Sequence, residues 1–141
     1  MEKHEILKEE YVNILNEKIK EKMGKAELLK NQDSMDEANF EKIKANVLDI
    51  FLKMFNISYD NIYKKLNNKN VISAINSETD KYANLYHAYM NFFSKIPAPW
   101  IEKSIKDKEH NMVKEYLIEE MKLNTVKEIK DVFDGCYNRF K

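Results

Sequence analysis

Three histidines, one cysteine and 24 carboxylates are the side chains of this chain that could do metal, nucleophilic or acid–base chemistry. A metal site needs ligands that converge, usually from one helix face or from facing elements. His4, His87 and His110 are spread across the sequence, with no H-x-x-x-H and no HExxH; the nearest carboxylate and histidine on one turn are Asp107 and His110. A di-iron bundle wants two E-x-x-H pairs together with glutamates from facing helices, and the chain does not supply them. The expectation is therefore solvated histidines and no metal. Cys136 falls three residues after Phe133 and four before Phe140, on an apolar face where a thiol is a small inert core group. Gly24 and Gly135 are isolated, so there is no glycine-rich loop to cradle a phosphate. Carboxylates in this number are what helical surfaces need for solubility, and none can be singled out as an acid or base. The sequence argues against an enzyme and names no catalytic residue and no cofactor.

Rings are the stronger signal. Tyr82, Tyr86, Tyr89 and Phe93 recur at three- and four-residue spacing, one side of a helix, and the single tryptophan, Trp100, follows just past a Pro97-Ala98-Pro99 corner. Folded back at that corner, the next helix brings the indole near Phe93. These five residues are the candidate ligand-binding set. Core packing, with tyrosine hydroxyls at its rim, is the plainer role for rings at this spacing; a small apolar ligand or a partner groove is the functional one.

Nucleic acid is not an expected partner. Basic and acidic residues balance at 24 each, and Arg139 is the only arginine, so there is no net field and little bidentate recognition of bases or phosphates. The one basic stretch with an aromatic, Tyr63 to Lys69, reads as the lysine-rich end of a helix.

What positions these residues is helix throughout. With two glycines and two prolines in 141 residues, the tight turns of β architecture lack their usual residues. Apolar periodicity predicts an all-α, single-domain bundle of about five main helices, over roughly 3–30, 35–56, 71–95, 99–122 and 126–140, with a short one at 58–66. The Pro-Ala-Pro corner stops the fourth segment and starts the fifth. Ser34 to Glu37 and Thr125 to Glu128 have the S/T-x-x-E spacing of a capping box, marking helix starts at Met35 and Val126. Asn67 to Asn70 reads as a loop, and Ser77 to Asp80 as a second place where the 71–95 segment could begin. The polar run Lys106 to Asn111 is read as an exposed stretch of one continuous helix. Gly24 is a weak point in the first helix, whose length of about 40 Å lets its N-terminal part project or reach a second subunit. Residues 47–57 are apolar around much of the helix, which places them at the centre of the fold or at a subunit interface.

A lone cysteine excludes an internal disulfide framework and fits a reducing, cytoplasmic setting; no secretory leader and no membrane-spanning run is present. The functional expectation is a non-enzymatic helical module acting through a protein partner or self-association as a homo-oligomer. The alternative is a sensor or carrier of a small molecule, with an apolar aromatic pocket near Trp100.

Overall fold

The computed structural model describes residues 1–64 and 78–141. Every regular element among them is an α-helix: α1 (Lys3–Asn31), α2 (Met35–Tyr63), α3 (Glu78–Lys95), α4 (Ala98–Glu109) and α5 (Val113–Phe140). The fold is an all-α single-domain bundle, as the scarcity of turn residues predicts.

The first two helices form a long antiparallel pair. At the α1 start, Glu5 accepts a hydrogen bond from the backbone N–H of Glu2 at 3.0 Å. At its end the chain reverses through Asp33, which adopts the left-handed conformation (φ 62°), and the N–H of Ser34 donates back to the Leu29 carbonyl at 2.9 Å. Ser34 does precede α2, but its hydroxyl makes no capping bond. Gly24 does not interrupt α1. The N-terminal part of α1, expected to project, is instead the better buried: Leu7, Tyr11 and Leu15 are fully enclosed, whereas Met23 and Leu28 are exposed.

Three helix boundaries differ from the sequence expectation: at two a polar residue bonds within its own helix instead of ending it, and at the third a polar run ends a helix expected to continue. Ser58, expected to start a separate short helix, is buried and donates to the Met54 carbonyl at 2.9 Å, so α2 runs on to Tyr63. Thr125, expected to cap the last helix, donates to the Met121 carbonyl at 2.9 Å, and Glu128 pairs with Lys18 at 2.8 Å instead of closing a capping box. α5 therefore passes through this point. The break falls earlier, in the polar run taken as continuous: α4 stops at Glu109, Asn111 turns left-handed (φ 56°), and the N–H of Met112 donates to the Asp107 carbonyl at 2.8 Å. Asparagine tolerates that backbone better than most residues. The outcome is a helical hairpin, α4 followed by the first half of α5. The remainder of the 58–66 segment, the Asn67 to Asn70 loop and the start of the 71–95 segment lie outside the described residues.

α2 is central, packed against α1, α3 and α5. Its width of apolar surface is explained by that position: Val47, Leu48, Phe51, Leu52 and Phe55 are all buried in the core, and Ile57 alone of the large apolar residues from 47 to 57 is exposed. α4, by contrast, packs chiefly on α5.

Candidate interaction surface

The five residues singled out in the sequence all belong to the core or pack against it, Tyr82 and Tyr89 buried and Tyr86, Phe93 and Trp100 partly buried. Tyr82 and Tyr89 are core residues with their hydroxyls engaged inside the protein: Tyr82 donates to the Tyr137 carbonyl at 2.9 Å, and Tyr89 donates to the Phe51 carbonyl at 3.0 Å while its oxygen lies 2.6 Å from that of Tyr11. Since Tyr89 uses its proton on Phe51, Tyr11 supplies the one between the two hydroxyls. Burial, reinforced for Tyr11 by the neighbouring Tyr89, pushes both phenols well above the ordinary tyrosine value. Tyr86 is half-buried and donates to Asp134 at 3.0 Å. Phe93 packs 4.6 Å from the Phe51 ring and 5.0 Å from Tyr89. Trp100, on α4, is partly buried and packs against the same core, with the Lys122 ammonium 5.3 Å from its ring centre. The rings of α3 therefore meet α2 and α5, and the indole meets a lysine.

The other chemistry-bearing residues are dispersed. His4 stacks flat on Tyr63 at 3.9 Å, His87 stands edge-on to Tyr86 at 5.8 Å, and His110 closes the end of α4. Cys136 is buried, and that burial raises its thiol above the usual value. Among the described residues no group of three potential ligands could hold a metal ion, and no helix is long and apolar enough to cross a membrane.

The hairpin has an unusual distribution of polarity. At about 100° per residue, Trp100, Lys103, Ser104 and Asp107 share the α4 face turned to α5, and two of them, Ser104 and Asp107, are buried there. From α5, Glu119 enters this seam at 3 % exposure. Lys103 bridges Asp107 at 2.8 Å and Glu119 at 3.8 Å, and Lys122 reaches Glu119 at 3.4 Å. The second oxygen of Glu119 is buried with no hydrogen-bond partner. The outside is apolar: Ile101, Ile105, Met112, Val113 and Leu117 are each about half exposed or more. They are five of the ten large apolar residues exposed among the described residues, gathered within 17 positions. A helix pair folded only for itself has the reverse pattern, with apolar residues inside and charges out.

Beside the hairpin, two adjoining hollows of about 450 and 200 Å³ form a groove between α1, α2 and α5, sharing Phe40, Lys44 and Met121. Leu117 and Leu29 extend its apolar floor. Its two walls carry opposite charge. Lys22, Lys25 and Lys44 line the α1 and α2 side together with Glu37 and Glu41, and Glu120 and Glu128 line the α5 side. Glu41, 3 % exposed, lies under the lysines, 2.8 Å from Lys44 and 3.5 Å from Lys25. Burial raises its carboxyl pKa, but the hydrogen-bonded Lys44 ammonium, with Lys25 and Lys22 behind it, outweighs burial and holds the group below the ordinary carboxylate value. Three ammoniums against the two carboxylates of Glu37 and Glu41 leave that wall with a small cationic excess.

Neither the hairpin surface nor the groove was identified in the sequence: the first depends on the break at Asn111, and the second on how α1, α2 and α5 pack together. A helix continuous through 99–122 has one outer face; the hairpin brings Ile101 and Ile105 onto the same short unit as Val113 and Leu117. The usable signal was Asn111 itself, in a polar run whose apolar spacing falters. Comparison with known protein families, with curated proteins and with solved structures finds no match to the chain.

Proposed function

We propose that the chain is a non-enzymatic helical module that works by contact with a protein, and that the contact surface is the outside of the α4–α5 hairpin. The reversed polarity of that hairpin carries the reading: its seam buries Glu119 and Asp107 while Ile101, Ile105, Val113 and Leu117 stand in solvent. Large apolar residues left exposed in such concentration on one short unit, among charges, are a usual mark of a docking surface. The charged seam adds to this, since buried ion pairs stabilise a fold weakly and leave the hairpin's apolar surface for something else.

The test is crosslinking in the cells that make the protein. A photoreactive side chain at Ile105 is expected to give discrete protein adducts, and the same group at the exposed Lys20 of α1 is expected to give none. Equal labelling at the two positions, or no adduct at Ile105, removes the reading. The ligand-carrier alternative gains no support from Tyr82 and Tyr89, because both hydroxyls already have partners inside the protein.

A further inference from the structure

We propose that the partner is a second copy of this chain, and that the Ile101–Ile105 stripe of each α4 lies in the α1–α2–α5 groove of the other. The proposal rests on the reading of the hairpin as a contact surface and names what covers it. Two features of the fold lack a counterpart within one copy, and they match each other. The first is a helix, α4, whose Ala98, Ile101 and Ile105 face solvent at helical spacing. The second is a groove with an apolar floor, Phe40, Leu117 and Met121, open at the surface between three helices.

Charge decides between the two directions in which a helix can lie there. Counting about 100° per residue from Ile101, Glu102 and Glu109 fall on one flank of the stripe, with Lys106 beyond them and 3.8 Å from Glu102, and Lys108 falls on the other. The groove has lysines along its α1 and α2 wall and glutamates along α5. Only the direction that turns Glu102 and Glu109 toward Lys22 and Lys25, and Lys108 toward Glu120 or Glu128, pairs opposite charges on both flanks. The reverse direction sets like against like, which is a strong discriminator at an interface. Lys22 has only the exposed Glu21 at the 4.0 Å edge of contact, whereas Lys25 and Lys44 are held by Glu41; its side chain is 20 % exposed. Each copy has both the stripe and the groove, so a two-fold arrangement makes the contact twice and closes as a dimer, which is the assembly proposed. A highly charged foreign partner is a poorer match, because the stripe and the groove each carry both signs.

The test uses the purified full-length chain, in which the only partner is itself. Light scattering is expected to give twice the 16.9 kDa chain mass at high concentration. Ile101→Asp with Ile105→Asp, and separately Leu117→Asp, are each expected to raise the dissociation midpoint by roughly tenfold or more, with unchanged circular dichroism because these side chains are about half exposed. Lys22→Glu weakens association, and adding Glu102→Lys to the same chain restores it. Register is read by mixing Ile105→Cys chains with Leu117→Cys chains, of different tag mass, under mild oxidation. A mixed disulfide is expected. A prevailing disulfide between two Ile105→Cys chains indicates stripe-on-stripe pairing and overturns the groove assignment. A monomer at millimolar concentration overturns self-docking altogether, and the crosslink at Ile105 in cells then decides whether the broader reading falls with it.

Discussion

The ring-filled layer and the α4–α5 hairpin bury polar groups in opposite ways. In the layer the buried polar atoms are phenol hydroxyls, each neutral and joined to a carbonyl or another hydroxyl. Tyr11 donates to Tyr89 and Tyr89 to Phe51, inside a set of rings from all of α1, α2, α3 and α5 whose centres are 4.4 to 6.1 Å apart. In the hairpin the buried polar groups are carboxylates, and one oxygen of Glu119 has no hydrogen bond. Neutral groups with one good partner are compatible with a dry interior; a carboxylate keeps a large desolvation cost that its lysines only partly offset. The layer is thus where most of the stability is expected to lie, with the hairpin seam contributing less.

The sharpest break of this comparison is Phe133→Ala. Phe133 is fully buried and its ring meets those of Tyr11, Phe55, Tyr86, Tyr89 and Tyr137. The truncation is expected to cost about 3–5 kcal/mol, seen as a large drop in the urea midpoint for the whole chain. A small change there shows that the layer is not the stabilising region. Tyr89→Phe is expected to cost about 1–3 kcal/mol, because the Tyr11 hydroxyl then loses its acceptor in a place water does not reach. A cost near zero in chemical denaturation means that a water or another acceptor replaces it.

In the seam the expected sign is reversed. Glu119→Met keeps the length of the side chain and removes a half-satisfied buried carboxylate, while Lys103 and Lys122 can return to water. Stability is expected to be unchanged or higher by about 1 kcal/mol. A loss comparable to that of Tyr89→Phe shows that the seam stabilises the fold as the layer does, and the contrast fails.

The two regions also respond to opposite ends of the pH scale. Tyr11 and Tyr89 have raised phenol values in the folded state, so their contribution is complete below the ordinary value of 10.0 and is lost as the pH rises above it. Glu41, beside the groove, has a lowered value, so its contribution is present above the ordinary carboxylate value of 4.5 and is lost as the pH falls through the lower folded one. Melting temperature against pH is expected to fall at both ends. Tyr89→Phe should flatten the alkaline limb and Glu41→Gln the acid one; limbs that do not respond to these substitutions contradict the assignment.

How much of this was legible in the residues follows from the same physics. The class of fold was, since two glycines and two prolines leave few ways to turn and the period of Leu7, Tyr11 and Leu15 marks a buried face. The central place of residues 47–57 was legible too, because an apolar surface wider than one stripe needs neighbours on several sides. The boundaries at Ser58 and Thr125 were not, because a hydroxyl that can cap a helix can equally bond the carbonyl four residues back, and burial decides which. The interaction surface was hidden for a related reason. Ile101 and Ile105 look in sequence like any core-facing pair, and only the packing of Trp100, Ser104 and Asp107 on α5 shows that the opposite face of α4 was the one turned inward.

The smallest effect sharpens the same contrast from outside both regions. Gly24 and Gly135 are exposed, lie within α1 and α5, and a Cβ at either would meet nothing within 4 Å. Neither has a positive φ, so no backbone conformation requires glycine there. Alanine at each position is expected to add about 0.5–1 kcal/mol by narrowing the unfolded ensemble and favouring helix. Gly135 is on the part of α5 that belongs to the ring-filled layer, between Phe133 and Tyr137, and Gly24 is near the open end of α1 beside the groove. If the layer is the cooperative centre, Gly135→Ala raises the denaturant midpoint of the whole chain by its full increment. Gly24→Ala then shows more of its gain as slower amide exchange around residues 20–28 than in the global midpoint. Equal increments in both measurements mean that the bundle unfolds as one unit from end to end, with no weaker half.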